Sequence, residues 1–113
     1  MRICIYVPNV GDKETPDKKG STKAVLGTIV ANVCEKLGGC NVIDAIGCYK
    51  GPKGATISEP FYLVEIYSAD AQAQAIARYS ALVVLHQLDQ ATAAYTVGDT
   101  MFYVNKGTAN API

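Results

Sequence analysis

The amino-acid sequence predicts an α+β domain in which two helices pack on one face of an antiparallel sheet of about four strands. Short runs of alternating or β-branched residues mark strands, and two longer stretches carry apolar residues at helical spacing. Turn residues separate these in the order strand, helix, strand, turn, strand, helix, strand, a split β-α-β arrangement. With 113 residues, half of them hydrophobic and 18% charged, the chain can fill one core.

The elements follow from the residues in turn. Ile3, Ile5 and Val7 alternate with Arg2, Cys4 and Tyr6, and Pro8 with Asn9 ends this first strand. Residues 10–20 are polar and charged, with Asp12, Lys13, Glu14, Asp17, Lys18 and Lys19, which reads as a loop. Ser21 or Thr22 can cap a helix whose stripe is Leu26, Ile29, Val30, Val33 and Leu37. Gly38-Gly39 stops it. Residues 42–50 form a second extended run, Gly51-Pro52-Lys53-Gly54 a turn, and residues 61–67 the strongest strand, together an antiparallel hairpin. Ser68 or Asp70 opens a second helix reaching about residues 88–90. One face of it is Ala77, Ala81, Val84, Leu85 and Leu88; a second is Ile76, Tyr79, Val83 and His86, with Leu82 beside it. Residues 95–97 and 101–104 flank the two-residue turn Gly98-Asp99, the first of them readable as strand or loop. The domain is expected over 1–105, with a frayed tail at 106–113.

Composition narrows the function classes. Ten basic residues balance ten acidic ones, which removes the long-range attraction that non-specific nucleic-acid binding needs. The run Phe61-Tyr62-Leu63-Val64-Glu65-Ile66-Tyr67 lacks the basic-glycine-aromatic signature of RNA-stacking strands, and Glu65 has the wrong charge. No apolar run approaches the roughly 20 residues that span a bilayer, and the N-terminus is too short for a secretory signal. A cytoplasmic protein without a membrane segment is the expectation. Cys4, Cys34, Cys40 and Cys48 contain no C-x-x-C pair, and His86 is the sole histidine. The cysteines therefore read as buried free thiols in a reducing compartment, with no metal and no cofactor.

Over about residues 2–105 this order of elements resembles the ferredoxin-like superfold. It is similar in particular to the dimeric α/β-barrel members, where two such sheets close face to face. The resemblance is one of topology, and it carries no catalytic residue onto this chain. It implies a sheet face left for solvent, a ligand or a partner.

Three groups of residues are candidate sites. Lys19, Ser21, Thr22 and Lys23, at the start of the first helix, would suit a small anion such as a phosphate or nucleotide. Capping hydroxyls and solvated lysines explain the same letters, and no Walker A string is present. Tyr49, Lys50, Lys53 and Glu59 flank the hairpin turn, although Gly51, Pro52 and Gly54 need no function to explain them. His86 lies near Tyr79 and Gln90 on the second helix, with Asp89 three positions on. As a proton-transfer group, His86 or Tyr49 would serve an enzyme, whereas Ile76, Tyr79, Val83 and His86 together suit an interface. The composition is also rich in tyrosine, seven against two phenylalanines. If Ile3, Ile5 and Val7 face the helices, Cys4 and Tyr6 face away, and Tyr49 and Tyr62 could join them.

The leading expectation is a homo-oligomeric binding or interaction module, a dimer first, that takes a small anionic ligand. The alternatives are a cofactor-independent enzyme of the α/β-barrel type, and a small phage or mobile-element protein that antagonises a host protein.

Overall fold

A computed structural model describes residues 1–11, 13, 15 and 18–106. The elements are β1 (Arg2–Pro8), α1 (Thr22–Leu37), β2 (Asn41–Lys50), β3 (Thr56–Tyr67), α2 (Gln72–Gln87), β4 (Thr92–Val97) and β5 (Thr100–Asn105). They build one antiparallel sheet in the order β2-β3-β1-β4-β5, with both helices packed on it. The sheet therefore has five strands rather than about four. The fifth arises because 92–97 and 100–105 pair along their whole length across Gly98, whose φ of 59° suits the first position of a two-residue hairpin turn. The expected tail at 106–113 lies, apart from Lys106, outside the described residues.

Strand parity sorts the side chains onto two faces. Ile3, Ile5 and Val7 are at most 1% exposed and pair with Ile66, Val64 and Tyr62 of β3. These residues meet Ile29 and Val33 of α1 and Ala77, Ala81, Val84 and Leu85 of α2 in a single core. The α1 stripe is thus the one its spacing predicts, with Val25 added and Leu26 and Leu37 at its margin. Tyr62 belongs to this helix-facing set, so of the two tyrosines whose register was open only Tyr49 joins the other face. Completely burying one such aliphatic side chain stabilises the fold by about 1.5–3 kcal/mol.

Capping fixes where the helices begin and end. Ser21 Oγ accepts the Ala24 amide at 3.0 Å, and Gly38 reverses the chain at φ 92° while its amide donates to the Cys34 carbonyl. Helix α2 starts two residues beyond Asp70, whose carboxylate accepts the Gln72 amide at 2.8 Å. Its end is closed by Gln90 donating to the Leu85 carbonyl, with Asp89 in the left-handed region at φ 51°. That closure delivers Gln90 to the edge of the sheet.

Candidate functional site

The sheet face away from the helices carries Tyr6 and Pro8 of β1, Gly47 and Tyr49 of β2, Glu59 and Phe61 of β3, and Thr92 and Ala94 of β4. Together with Gln90 they line an open cleft of about 340 Å³. That is the lower range for a small-molecule site. Its floor is a stacked pair, Tyr6 on Phe61, with ring centroids 5.3 Å apart and planes 25° from parallel. Its polar group is a second pair. Tyr49 donates its hydroxyl to Glu59 Oε1 at 2.8 Å, bridging β2 and β3.

Local structure explains why these groups meet. Strands β2 and β3 run on beyond the end of β1, which stops at the pair Pro8 and Phe61. Residues 45–50 and 56–60 therefore form a two-stranded arm standing over one end of the sheet. Tyr49 and Glu59 project from the same side of that arm, and Tyr49 stays half exposed. The hydrogen bond to Glu59 is the main cause that raises the Tyr49 phenol above its ordinary range, with burial and the carboxylate charge adding to it. Tyr49 is accordingly a proton donor here and keeps its proton at neutral pH.

A larger cleft of about 530 Å³ lies on the other side of the arm, between Asn9 and Ile46. Asp44 is its only carboxylate, and no paired polar group converges in it. The smaller cleft has both the aromatic floor and the convergent pair.

The residues anticipated from sequence fall in three places. Tyr49 and Glu59 meet as described, whereas Lys50 and Lys53 sit farther out toward the tip of the arm. At the start of α1, Ser21 serves as the cap and Thr22 is 1% exposed, its hydroxyl accepting the Val10 amide at 3.0 Å. Lys19 and Lys23 are exposed there, and the Lys19 and Gly20 amides both donate to the Gln87 carbonyl. On α2, Ile76 is 7% exposed and Val83 packs against the same core, while Tyr79 stands 60% exposed and His86 is exposed near the helix end. The α2 residues and the arm are not brought together. The cysteines differ from their expected burial: Cys4 is buried, but Cys34 and Cys48 are exposed and Cys40 is intermediate.

Sequence reasoning missed Phe61, Gln90 and Gly47 as parts of a site. Only the alternation of Tyr6 pointed to this face, because the rest depends on the register between β2 and β3. No helix among the described residues is long and apolar enough to cross a membrane.

No family model and no curated protein matches the chain. Two solved structures share its fold. One is a phage SAM lyase in its apo state, 16% identical, with a TM-score of 0.55 over 92% of this chain and 87% of that one. The other is a phage SAM lyase in complex with S-methyl-5'-thioadenosine, also 16% identical, with a TM-score of 0.56 over 92% of this chain and 88% of that one.

Proposed function

We propose that this chain binds S-adenosylmethionine, or a closely related purine nucleoside sulfonium, in the cleft beneath the β2–β3 arm and cleaves it as a lyase. The observation that carries the reading is the Tyr49–Glu59 pair set beside the stacked Tyr6 and Phe61 in a nucleoside-sized cleft. The shared fold adds that a neighbour of this architecture binds S-methyl-5'-thioadenosine.

The chemistry asked of such a site is modest. When a sulfonium carbon–sulfur bond breaks, both electrons go to sulfur, and the thioether leaves neutral without an acid. The substrate carboxylate can displace sulfur within the same molecule, closing a lactone and requiring neither water nor a metal. The protein's part is then to hold the reacting arm folded and the adenine fixed. Phe61 and Tyr6 offer a ring face for the purine. The Glu59 carboxylate keeps lone pairs for a donor such as the substrate ammonium, since a carboxylate has about four acceptor sites and Tyr49 uses one. Apolar walls disfavour a cation whose charge disappears along the reaction, which lowers the barrier.

We also infer, as the sequence suggested, that the working unit is a homo-oligomer. Tyr49, Tyr67, Met101 and Tyr103 on the uncovered sheet face are 41–66% exposed, more than a lone chain of this size needs to leave in water. The split β-α-β reading is kept for β1 to β4, with β5 as an added edge.

The test is direct. Purified protein is incubated with S-adenosylmethionine, and S-methyl-5'-thioadenosine is followed by liquid chromatography and mass spectrometry. Many turnovers per chain are expected, with Glu59→Gln and Tyr49→Phe each slowing the reaction while remaining folded by circular dichroism. Product no faster than the spontaneous background would overturn the reading, as would an undiminished Glu59→Gln variant.

A further inference from the structure

We propose that Cys34 and Cys40 form a reversible intramolecular disulfide, closed by exchange with a small disulfide such as oxidised glutathione. The inference is independent of the cleft, which lies on the opposite side of the sheet from the helices. Cys34 sits in the last turn of α1 and Cys40 immediately precedes β2. Between them Gly38, at φ 92°, turns the chain back on itself and donates its amide to the Cys34 carbonyl at 3.0 Å. The reversal brings the two thiols into side-chain hydrogen-bond contact. A pair six positions apart, already touching across a fixed turn, needs little backbone motion to close.

The surroundings set the order of events. Cys34 is exposed and meets a soluble disulfide first, whereas Cys40 packs against the core. Burial raises the Cys40 thiol above its ordinary range, and the neighbouring Cys34 adds to the rise. In the first step the Cys34 thiolate attacks one glutathione sulfur and releases the other glutathione as thiolate. In the second, Cys40 loses its proton to solvent and attacks Cys34 sulfur, expelling the second glutathione. Two protein thiols are oxidised, and one glutathione disulfide is reduced to two thiols. Cys4 is 1% exposed and out of reach, and Cys48 lies far along β2 beside Ser58.

Reduced protein is treated with oxidised glutathione, denatured, alkylated and mapped by peptide mass spectrometry. The expected product links Cys34 to Cys40, leaves Cys4 alkylated, and is reversed by dithiothreitol. In a Cys40→Ser variant the mixed disulfide with glutathione should persist on Cys34, because its resolving thiol is gone. Wild-type protein in which Cys34 and Cys40 are alkylated or separately glutathionylated, under conditions that modify Cys48, would refute the pairing. Covalent dimers joined through Cys34 would refute it as well.

Discussion

Gly47 shows how one missing side chain shapes the cleft. It faces Glu59 across the β2–β3 ladder, and a Cβ built there would come within 3.4 Å of the Phe61 ring. Its φ is not in the left-handed region, so backbone geometry does not require glycine. Glycine in a strand is a local cost, and what it provides here is access to the ring. Gly47→Val is therefore expected to keep or raise the melting temperature while its methyls cover Phe61. The Michaelis constant for S-adenosylmethionine should rise about tenfold, the loss of roughly 1.4 kcal/mol of binding. An unchanged constant would move the purine seat away from Phe61. On the same face Arg2 donates to Glu65 at 2.8 Å, and Asn41 donates to it at 3.2 Å. The Arg2 bond, then the Asn41 bond, holds the Glu65 carboxyl below its ordinary range. The folded state thus keeps Glu65 ionised to lower pH than the unfolded chain does. Its contribution is present above the ordinary carboxylate range and is lost as pH falls through the depressed value. Thermal melts across acidic pH should show a shallower fall for Glu65→Gln than for the wild type. An identical slope would mean that the pair contributes nothing measurable.

The hairpin arm is the element that turns letters into a site, and it is also where sequence reading stops short. Residues 61–67 are recognisable as a strand by their β-branched and aromatic content, yet β3 begins five residues earlier at Thr56. Ser58, Glu59 and Pro60 hide that extension, since proline inside an inner strand would remove a ladder bond. The structure resolves the conflict. Pro60 directs its carbonyl toward Asn9, which donates to it at 3.1 Å, so its missing amide also faces that side and costs β2 nothing. Tyr49 and Glu59 were visible as candidates for this reason and still could not be joined, because a one-residue slip would put them on opposite faces. Helix α1 was easier, its cap and stripe being local signals. Ser21→Ala should destabilise the fold by about 1 kcal/mol through loss of the bond to the Ala24 amide. Urea denaturation would measure that loss, and cleavage kinetics should stay at wild-type values. A kinetic defect at intact stability would instead draw the start of α1 into ligand binding.

At the scale of the whole molecule, the two helices cover one face of five strands and leave the other bare. The helix-facing side was legible from the alternation of Ile3, Ile5 and Val7, because burial is written into residue type along a half-buried strand. The opposite side is harder to read: its tyrosines, threonines and methionine suit solvent, a ligand or a partner equally well. Surface arithmetic favours a partner. Five strands about 4.8 Å apart and about 24 Å long present roughly 600 Å² before the side chains corrugate it, close to the ~800 Å² per partner of a standard interface. The second face of α2 contributes less than its spacing suggested, since Ile76 and Val83 pack into the chain's own core and Tyr79 alone stands well out. The association surface proposed here is consequently the bare sheet, where Tyr103 is 61% exposed and Tyr67 66% exposed at separate strands. Sedimentation velocity at micromolar concentration should give a species heavier than one 12.0 kDa chain. Tyr103→Glu should shift it toward the monomer, because a carboxylate buried in that contact would have no partner charge. Tyr79→Glu should leave it assembled. A wild-type monomer would remove the oligomer from the proposal, and dissociation by Tyr79→Glu alone would relocate the contact to α2.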